Sequence, residues 1–256
     1  MIERAERLKV IGRAGVGIDN VDLDAATRRG IVVANAPDST VVSAAEHTIG
    51  LLVALARNIP QAHAALQEGR WERSRWGGVE LADKTLGVLG FGRIGRQVAR
   101  RALGLGMRVI GYDPFVAPER FRELGADHAE TAQEVFDAAD FLTLHLPLTE
   151  ETRRLLDARR LSLMKRDAIL INTSRGGIVD ETALADSLRS GMLGGAALDV
   201  FEHEPLPAGS VLAGCPHLLL TPHIAGVTRE SNARVSALVA REVAAALVRR
   251  ADTAHA

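Results

Sequence analysis

Short apolar runs alternate with helical periodicities along almost the whole chain. This alternation is typical of parallel sheets whose strands are connected by helices. The runs predict strands at 8–11, 31–34, 86–90, 108–112, 141–144, 168–172, 195–199 and 218–221. The strands from residue 86 onward suffice for a complete doubly wound dinucleotide-binding fold. We therefore predict an α/β protein built on a doubly wound parallel sheet.

Helical periodicity predicts helices between most of these strands, at 21–29, 43–57, 61–69, 94–105, 181–190 and 231–249. Ser43 and Glu46 have the spacing of a capping box, which predicts that the second of these helices begins at Ser43. Residues 70–78 carry Trp71 and Trp76 without a clear period, so we predict a loop or arm there. In the stretch between Pro114 and Asp140, helix and loop patterns compete.

The composition is that of an ordinary globular protein, with 47% hydrophobic and 25% charged residues. A formal net charge of −1 gives no electrostatic case for binding nucleic acid or an anionic membrane. The single cysteine, Cys215, cannot form an internal disulfide, which favours a reducing compartment. The sequence shows no membrane-length apolar stretch and no signal-peptide core at its N-terminus. We expect a cytoplasmic protein without nucleic-acid or membrane partners, and we assign no metal ligands.

The run Gly90-Phe91-Gly92-Arg93-Ile94-Gly95 lies between a predicted strand and a predicted helix, and Asp113 ends the following strand. A lone glycine pattern of this kind is more often an ordinary turn, but this order is the dinucleotide-binding fingerprint in its required context. Gly90 allows a tight turn, Gly92 lets the backbone approach a pyrophosphate, and Gly95 lets the helix pack closely on the strand. Asp113 can bind an adenosine ribose and would repel a 2′-phosphate, which favours NAD over NADP.

Chemically active side chains follow several later strands, at the sheet edge where ligands bind in such folds. Arg175 offers a planar fork for a carboxylate, and His223 can exchange a proton near neutral pH. Glu204 next to His223 would favour the imidazolium and fix the ring tautomer. Each residue alone has an ordinary structural explanation, such as a turn or a solvated loop. The three together, beside a nucleotide site, indicate acid–base chemistry on an anionic substrate.

These motifs resemble those of the D-isomer-specific 2-hydroxyacid dehydrogenases, and most of all the 3-phosphoglycerate dehydrogenase branch. The matching segments follow the family order over nearly the whole chain and are Gly12–Asp22, Ser43–His47, Gly90–Gly95, Asn172–Asp180, Ala197–Pro205 and Thr221–Ile224. The resemblance implies an enzyme that moves a hydride between nicotinamide and C2 of a 2-hydroxy or 2-oxo acid.

The resemblance also implies a role for each site residue. His223 is the general acid/base, Glu204 its carboxylate partner, and Arg175 the cation that orients the substrate. Substrate contacts are also implied for one loop near the N-terminus, which contains Arg13, Gly15, Val16 and Gly17. The implied NAD contacts are Gly90, Gly92, Arg93, Ile94, Gly95, Asp113, His145, Pro147, Thr173, Ser174, Asp199 and Gly226.

The family organisation implies two domains. Residues 39–225 form the NAD-binding domain, which includes a dimerisation helix and arm at about 43–78, so a homodimer is expected. Residues 1–38 and 226–256 form a flavodoxin-like substrate domain. Family members usually carry a further substrate-domain segment before the strand at Leu8, so we expect this domain to be truncated. We also expect no regulatory domain after the final helix.

The expected truncation of the substrate domain leaves alternative functions open. One is an NAD-binding module that resembles the family's transcriptional co-repressors, and another is an inactive truncated paralogue that still binds NAD. A third concerns the substrate, because Asn232 and residues 226–231 differ from the commonest phosphoglycerate pattern. Another anionic 2-hydroxy acid, such as sulfolactate, is therefore also a candidate.

Overall fold

The computed structural model describes residues 1–18 and 20–253, with side chains through residue 248. Asp19, part of the motif at 12–22, and residues 254–256 of the predicted substrate domain lie outside the described residues. The chain forms two compact units. Unit 1 contains Met1–Ser43 and the residues from Gly226 onward, and unit 2 is Ala44–Ala225. The assignment of a substrate domain and an NAD-binding domain to these parts stays a prediction.

The elements are numbered in chain order. The strands are β1 (Val10–Gly12), β2 (Val32–Ala34), β3 (Thr85–Leu89), β4 (Arg108–Tyr112), β5 (Asp127–His128), β6 (Phe141–Leu144), β7 (Ile169–Asn172), β8 (Gly195–Leu198) and β9 (Leu218–Leu220). The helices are α1 (Leu23–Arg28), α2 (Val41–Ala56), α3 (Ile59–Gln67), α4 (Arg93–Gly104), α5 (Pro118–Arg122), α6 (Ala132–Ala138), α7 (Ala158–Leu161), α8 (Glu181–Arg189) and α9 (Arg229–Thr253). A short 3₁₀ helix, Ile2–Arg4, precedes β1.

Unit 2 is built on a parallel sheet with the strand order β5-β4-β3-β6-β7-β8-β9. The chain runs outward from β3 to β5 and then returns to β6 on the other side of β3. This reversal creates a topological switch point at the carboxyl ends of β3 and β6, where open parallel sheets bind ligands. The predicted doubly wound sheet is therefore confirmed.

The sheet is covered on both faces, which explains the continuous apolar runs in the sequence. Alternate residues of a strand point to opposite faces. In β7, Leu170 therefore packs into one core layer, whereas Ile169 and Ile171 pack into the other. All residues of β6, β7 and β8 are buried. Apart from Thr143 in β6 and Asn172 at the end of β7, these strands are apolar, and most polar side chains lie in the loops that follow them.

Unit 1 contains a small parallel pair, in which Val10 of β1 faces Val32 of β2. Helix α9 packs on β1 so closely that a Cβ at Gly12 would lie 2.8 Å from the side chains of both Val239 and Val243. The Asp22 side chain caps α1 by accepting a hydrogen bond from the Ala25 N–H at 2.8 Å. Among the described residues of both units, none belongs to a helix that is long and apolar enough to cross a membrane.

One prediction about local structure needs correction, and one strand was not predicted. Helix α2 begins at Val41, so the prediction that Ser43 starts it as a cap is wrong. The Ser43 hydroxyl instead lies 2.9 Å from the Thr228 hydroxyl. The strand β5 was not predicted, because its two residues are too few for a recognisable apolar run. The remaining predicted helices and strands are present with ends shifted by a few residues.

Candidate active site

The glycine-rich loop after β3 gives each of its three glycines a different surrounding. Gly90 has φ +88°, and a Cβ there would overlap the carbonyl oxygen of His145. A Cβ at Gly95 would overlap the carbonyl oxygen of Gly90, so α4 lies directly against the turn. A Cβ at Gly92 would meet nothing within 4 Å. The loop is therefore tight at both ends and open at its middle glycine.

This open position coincides with the N-terminus of α4. Gly92 is the N-cap residue and supplies no capping side chain. The first turn, which begins with Arg93 and Ile94, presents backbone N–H groups and the positive end of the helix dipole. Helix N-termini of this kind bind phosphate groups. The loop and helix therefore fit the pyrophosphate of a dinucleotide such as NAD.

Asp113 lies directly after β4 and is tied to the glycine-rich loop. One carboxylate oxygen accepts a hydrogen bond from the Phe91 N–H at 2.8 Å, and the other accepts from the Phe115 N–H at 3.0 Å. The loop and the acid thus keep the spatial relation that the fingerprint requires for ribose binding.

His145 and Pro147 follow β6, beside the glycine-rich loop. The His145 ring nitrogen Nε2 lies 3.0 Å from the Thr143 hydroxyl, and burial lowers the pKa of His145 to about 3. The ring is therefore neutral at physiological pH. The Pro147 carbonyl accepts a hydrogen bond from the Thr152 hydroxyl at 2.6 Å, which braces this loop.

His223 and Glu204 form a close pair, although they are separated by 18 intervening residues. Nδ1 of His223 lies 2.6 Å from Oε2 of Glu204. The other Glu204 oxygen accepts a hydrogen bond from the Phe201 N–H at 3.0 Å, which fixes the carboxylate. Both side chains are partly exposed, at 50% for His223 and 36% for Glu204. Since Nδ1 is engaged, Nε2 is the nitrogen through which His223 can exchange a proton.

The backbone of His223 has φ +55°, a conformation that residues with a side chain rarely adopt. Asp199, which is fully buried after β8, holds this segment. Its carboxylate accepts hydrogen bonds from the Thr221 hydroxyl at 2.6 Å, the Ile224 N–H at 2.9 Å and the Ala225 N–H at 2.8 Å. Burial by itself would raise the pKa of Asp199, but these hydrogen bonds and nearby His47 hold that pKa below its usual value. Asp199 therefore acts as a carboxylate beneath the His223 segment, and its contact with nicotinamide stays a prediction.

The loop that carries Arg175 is shaped by Asn172, the last residue of β7. The Asn172 side chain accepts hydrogen bonds from the Ser174 N–H at 3.1 Å and hydroxyl at 2.8 Å, and it donates to the Arg175 carbonyl at 2.9 Å. The Arg175 guanidinium donates to the Ser174 carbonyl at 2.7 Å. Sequence reasoning did not assign a role to Asn172. The available signal was a polar residue at the end of a buried strand.

Gly176 brings this loop against the loop that carries Glu204. A Cβ at Gly176 would overlap the carbonyl of Phe201, so only glycine fits. The buried Thr173 hydroxyl lies 2.8 Å from the Thr48 hydroxyl of α2. The predicted residues Thr173, Ser174 and Arg175 thus belong to one braced loop beside Glu204.

The predicted substrate-binding residues of the N-terminal loop belong to unit 1. The Gly15 carbonyl accepts a hydrogen bond from the Ala36 N–H at 3.0 Å, and the Val16 carbonyl accepts from the Asn35 side chain at 2.7 Å. The Arg13 guanidinium donates to the Ala14 carbonyl at 2.7 Å. This loop, which continues through Gly17, is therefore anchored by the residues after β2.

Gly226, the remaining predicted cofactor residue, is also in unit 1. Its carbonyl accepts a hydrogen bond from the Ser231 hydroxyl at 2.6 Å, at the start of α9. A Cβ at Gly226 would lie 3.2 Å from Thr40. The catalytic residues predicted from the sequence, in contrast, all belong to unit 2.

Residues 49–225 match a family model described as D-isomer specific 2-hydroxyacid dehydrogenase, NAD binding domain. The D-3-phosphoglycerate dehydrogenase of Methanocaldococcus jannaschii is 49% identical over 243 residues, which cover 95% of this chain and 46% of that protein. The chain therefore spans about half the length of the curated relatives that it matches.

Solved structures with a similar fold cover nearly the whole of this chain. A Thermus thermophilus protein superposes with a TM-score of 0.89 at 41% identity, covering 96% of this chain and 78% of that one. The D-lactate dehydrogenase of Aquifex aeolicus, solved with NAD and lactic acid, gives a TM-score of 0.85 at 35% identity. That match covers 95% of this chain and 77% of the lactate dehydrogenase.

Proposed function

The chain belongs to the D-isomer specific 2-hydroxyacid dehydrogenase family, and from this premise we propose that it is an oxidoreductase that uses NAD. It transfers a hydride between the cofactor and C2 of a D-2-hydroxy acid or the corresponding 2-oxo acid. One observation carries the proposal: the 2.6 Å pair of His223 and Glu204 follows strands of the same parallel sheet that carries the dinucleotide loop.

The residues that would hold NAD are those of the glycine-rich loop and Asp113. The N-terminus of α4 binds the pyrophosphate at the open position of Gly92, and Asp113 binds the adenosine ribose. When bound, NAD supplies a nicotinamide C4 that accepts or donates the hydride. His145 contributes a neutral ring beside the glycine-rich loop, because burial lowers the pKa of His145.

His223 handles the proton that accompanies the hydride. In the direction of reduction, its Nε2 donates a proton to the oxygen on C2, and in oxidation it removes that proton. Glu204 holds Nδ1, so the ring keeps one orientation and the imidazolium is stabilised when it forms. Arg175 offers its guanidinium fork to the substrate carboxylate and the C2 oxygen.

A phosphorylated or similarly anionic substrate suits this chain best. The relative from Methanocaldococcus jannaschii is a D-3-phosphoglycerate dehydrogenase, and nearly the whole of this chain aligns with it. Arg13 and the backbone N–H groups of Val16 and Gly17 provide positive potential for anionic groups of the substrate. The Gly15 N–H is already donated to the Arg13 carbonyl at 2.9 Å, which shapes the loop that presents these groups. We therefore place 3-phosphoglycerate and its 2-oxo acid first among the candidate substrates.

Assembly and location belong to the same proposal. Residues 43–78 are the predicted dimerisation element, and they expose Ile59, Leu66 and Trp71, the last at 80%. Exposed apolar side chains in one segment favour a protein interface. The expected assembly is a homodimer, and the expected compartment is the cytoplasm because the single cysteine suits reducing conditions.

The proposal is tested by combining NADH titration with a turnover assay. The purified chain is mixed with NADH and a panel of 2-oxo acids, namely 3-phosphohydroxypyruvate, sulfopyruvate, glyoxylate and pyruvate. We expect NADH oxidation with at least one of them, fastest with 3-phosphohydroxypyruvate. NADH binding without oxidation by any member of the panel would contradict the proposal and favour an NAD-binding module.

A further inference from the structure

A chain of polar side chains runs from α2 to the segment that carries His223. Nε2 of His47, on α2, lies 3.1 Å from the Thr221 hydroxyl, which lies 2.6 Å from the Asp199 carboxylate. His47 and Asp199 themselves are 3.6 Å apart, too far for a direct hydrogen bond. Asp199 is fully buried, and the His47 side chain is 23% exposed. Thr221 is therefore the link between the histidine and the carboxylate.

The direction of these hydrogen bonds follows from counting protons. A carboxylate can only accept hydrogen bonds, and a threonine hydroxyl has a single proton to donate. At 2.6 Å from Asp199, the Thr221 hydroxyl must donate its proton to the carboxylate. Its oxygen is then the acceptor for His47, so Nε2 of His47 must carry a proton.

Asp199 in turn holds the backbone beside His223, the candidate acid/base. Its two oxygens accept the N–H groups of Ile224 and Ala225, the residues that directly follow His223. These bonds hold the unusual backbone conformation of His223, whose φ is +55°. If the Thr221 hydroxyl turned away, Asp199 would lose its third hydrogen-bond donor, and the carboxylate that supports the segment would be less firmly held.

We propose that His47 is a positioning residue for His223: its Nε2–H fixes the Thr221 hydroxyl on Asp199, which fixes the backbone at residues 223–225. This inference rests on the proposed function, in which His223 exchanges the substrate proton. His47 acts through Thr221 and Asp199, and it does not itself touch the reacting atoms. A rival explanation is that the ring only fills space between α2 and β9.

Two substitutions of His47 separate these explanations. His47→Leu keeps an apolar side chain of similar volume but removes the donor, whereas His47→Gln places an amide donor near the position of Nε2. The control is His63→Leu, which removes an exposed histidine on α3. Thr221→Val removes the intermediate hydroxyl and provides a second test of the same link if His47→Leu does not fold.

In the turnover assay, His47→Leu and Thr221→Val should lower kcat about three- to tenfold, the change that corresponds to one lost hydrogen bond. The dissociation constant of NADH should stay near the wild-type value. His47→Gln should recover most of the lost kcat, and His63→Leu should leave kcat unchanged. Wild-type kcat in both donor-free variants, or a His47→Gln variant as slow as His47→Leu, would overturn the proposal.

A second readout needs neither NADH nor substrate. Long-range ¹H–¹⁵N spectra of the histidine rings report which nitrogens carry protons, and the signals lost in His47→Gln identify His47. We expect a protonated Nε2 on His47 and shifted His223 ring signals in His47→Leu but not in His63→Leu. An unprotonated Nε2, or unmoved His223 signals, would overturn the inference. If no 2-oxo acid is reduced, the proposed function fails, while these spectra still decide the role of His47.

Discussion

At the scale of single residues, the acid/base histidine depends on contacts that lie beneath it. A backbone like that of His223 costs roughly 1–3 kcal/mol. Hydrogen bonds to a charged group contribute roughly 1.5–3 kcal/mol each, and Asp199 accepts two from the N–H groups after His223. The contacts with Asp199 therefore outweigh the strain, and the histidine is held in place before substrate arrives.

The dinucleotide loop gives a prediction for Gly92. Gly92→Ala should raise the dissociation constant of NADH at least about tenfold, because the new methyl group fills the open space where a pyrophosphate approaches. Fluorescence titration with NADH measures this change. The melting temperature should stay close to that of the wild type, since the methyl group meets no protein atom within 4 Å.

The matched control is Gly104→Ala at the other end of α4, where a Cβ also meets nothing within 4 Å. This variant should bind NADH normally and be slightly more stable, by roughly 0.5–1 kcal/mol, because alanine suits a helix better than glycine. Normal NADH binding by Gly92→Ala would mean that the loop does not bind the pyrophosphate.

The separate roles of the fingerprint glycines could be predicted from the sequence because they depend on local order: strand, turn and helix. The positions of Glu204 and His223 could also be predicted, since both follow strands of one parallel sheet. The contributions of Asn172 and His47 could not be predicted from the sequence. Each depends on a hydrogen bond with a loop whose conformation the sequence pattern does not determine.

At the scale of elements, the loops after β7 and β8 form one unit because Gly176 has no side chain. Gly176→Ala should lower the free energy of unfolding by about 1–3 kcal/mol, since its Cβ would overlap backbone atoms of Phe201 that cannot rotate away. Turnover should fall as well, because the loops that carry Arg175 and Glu204 are forced apart. Urea unfolding and steady-state kinetics measure the two effects.

Gly104→Ala again serves as the control, because it adds the same methyl group in open space. An unchanged free energy of unfolding in Gly176→Ala would show that the two loops do not touch in solution. Unchanged turnover in a destabilised variant would show that their contact does not matter for catalysis.

The central strands of unit 2 were predictable because they are buried on both faces, which makes most of their residues apolar. The start of α2 was not predictable from the sequence. Ser43 has the spacing of a capping residue, but the helix extends past it to Val41, and the Ser43 hydroxyl meets Thr228 from a distant part of the chain. A contact of this kind leaves no local sequence pattern.

At the scale of the whole molecule, one partly buried histidine makes stability depend on pH. Burial lowers the pKa of His145 from 6.5 to about 3. Above pH 6.5, both the folded and the unfolded chain keep this ring neutral. Below pH 6.5, the unfolded chain takes up a proton that the folded chain refuses until about pH 3. The free energy of unfolding therefore falls as the pH is lowered through this window.

We expect this term to amount to about 1 kcal/mol per pH unit between roughly pH 6 and 4.5. His145→Gln should remove it, because glutamine keeps a polar group near the Thr143 hydroxyl but does not titrate. Urea unfolding of both proteins at several pH values measures the slopes. Equal slopes for wild type and variant would show that His145 is not held neutral by burial.

Unit 2 places a dinucleotide loop and a histidine–carboxylate pair on one sheet, and we propose that they form a single active site. The most direct test compares wild type and His223→Ala in 2-oxo acid reduction and NADH binding, with His63→Ala as the control. We predict that His223→Ala lowers turnover by about 10²–10⁴-fold while its NADH dissociation constant stays near wild type. Reduction of a 2-oxo acid by His223→Ala at the wild-type rate would contradict the account.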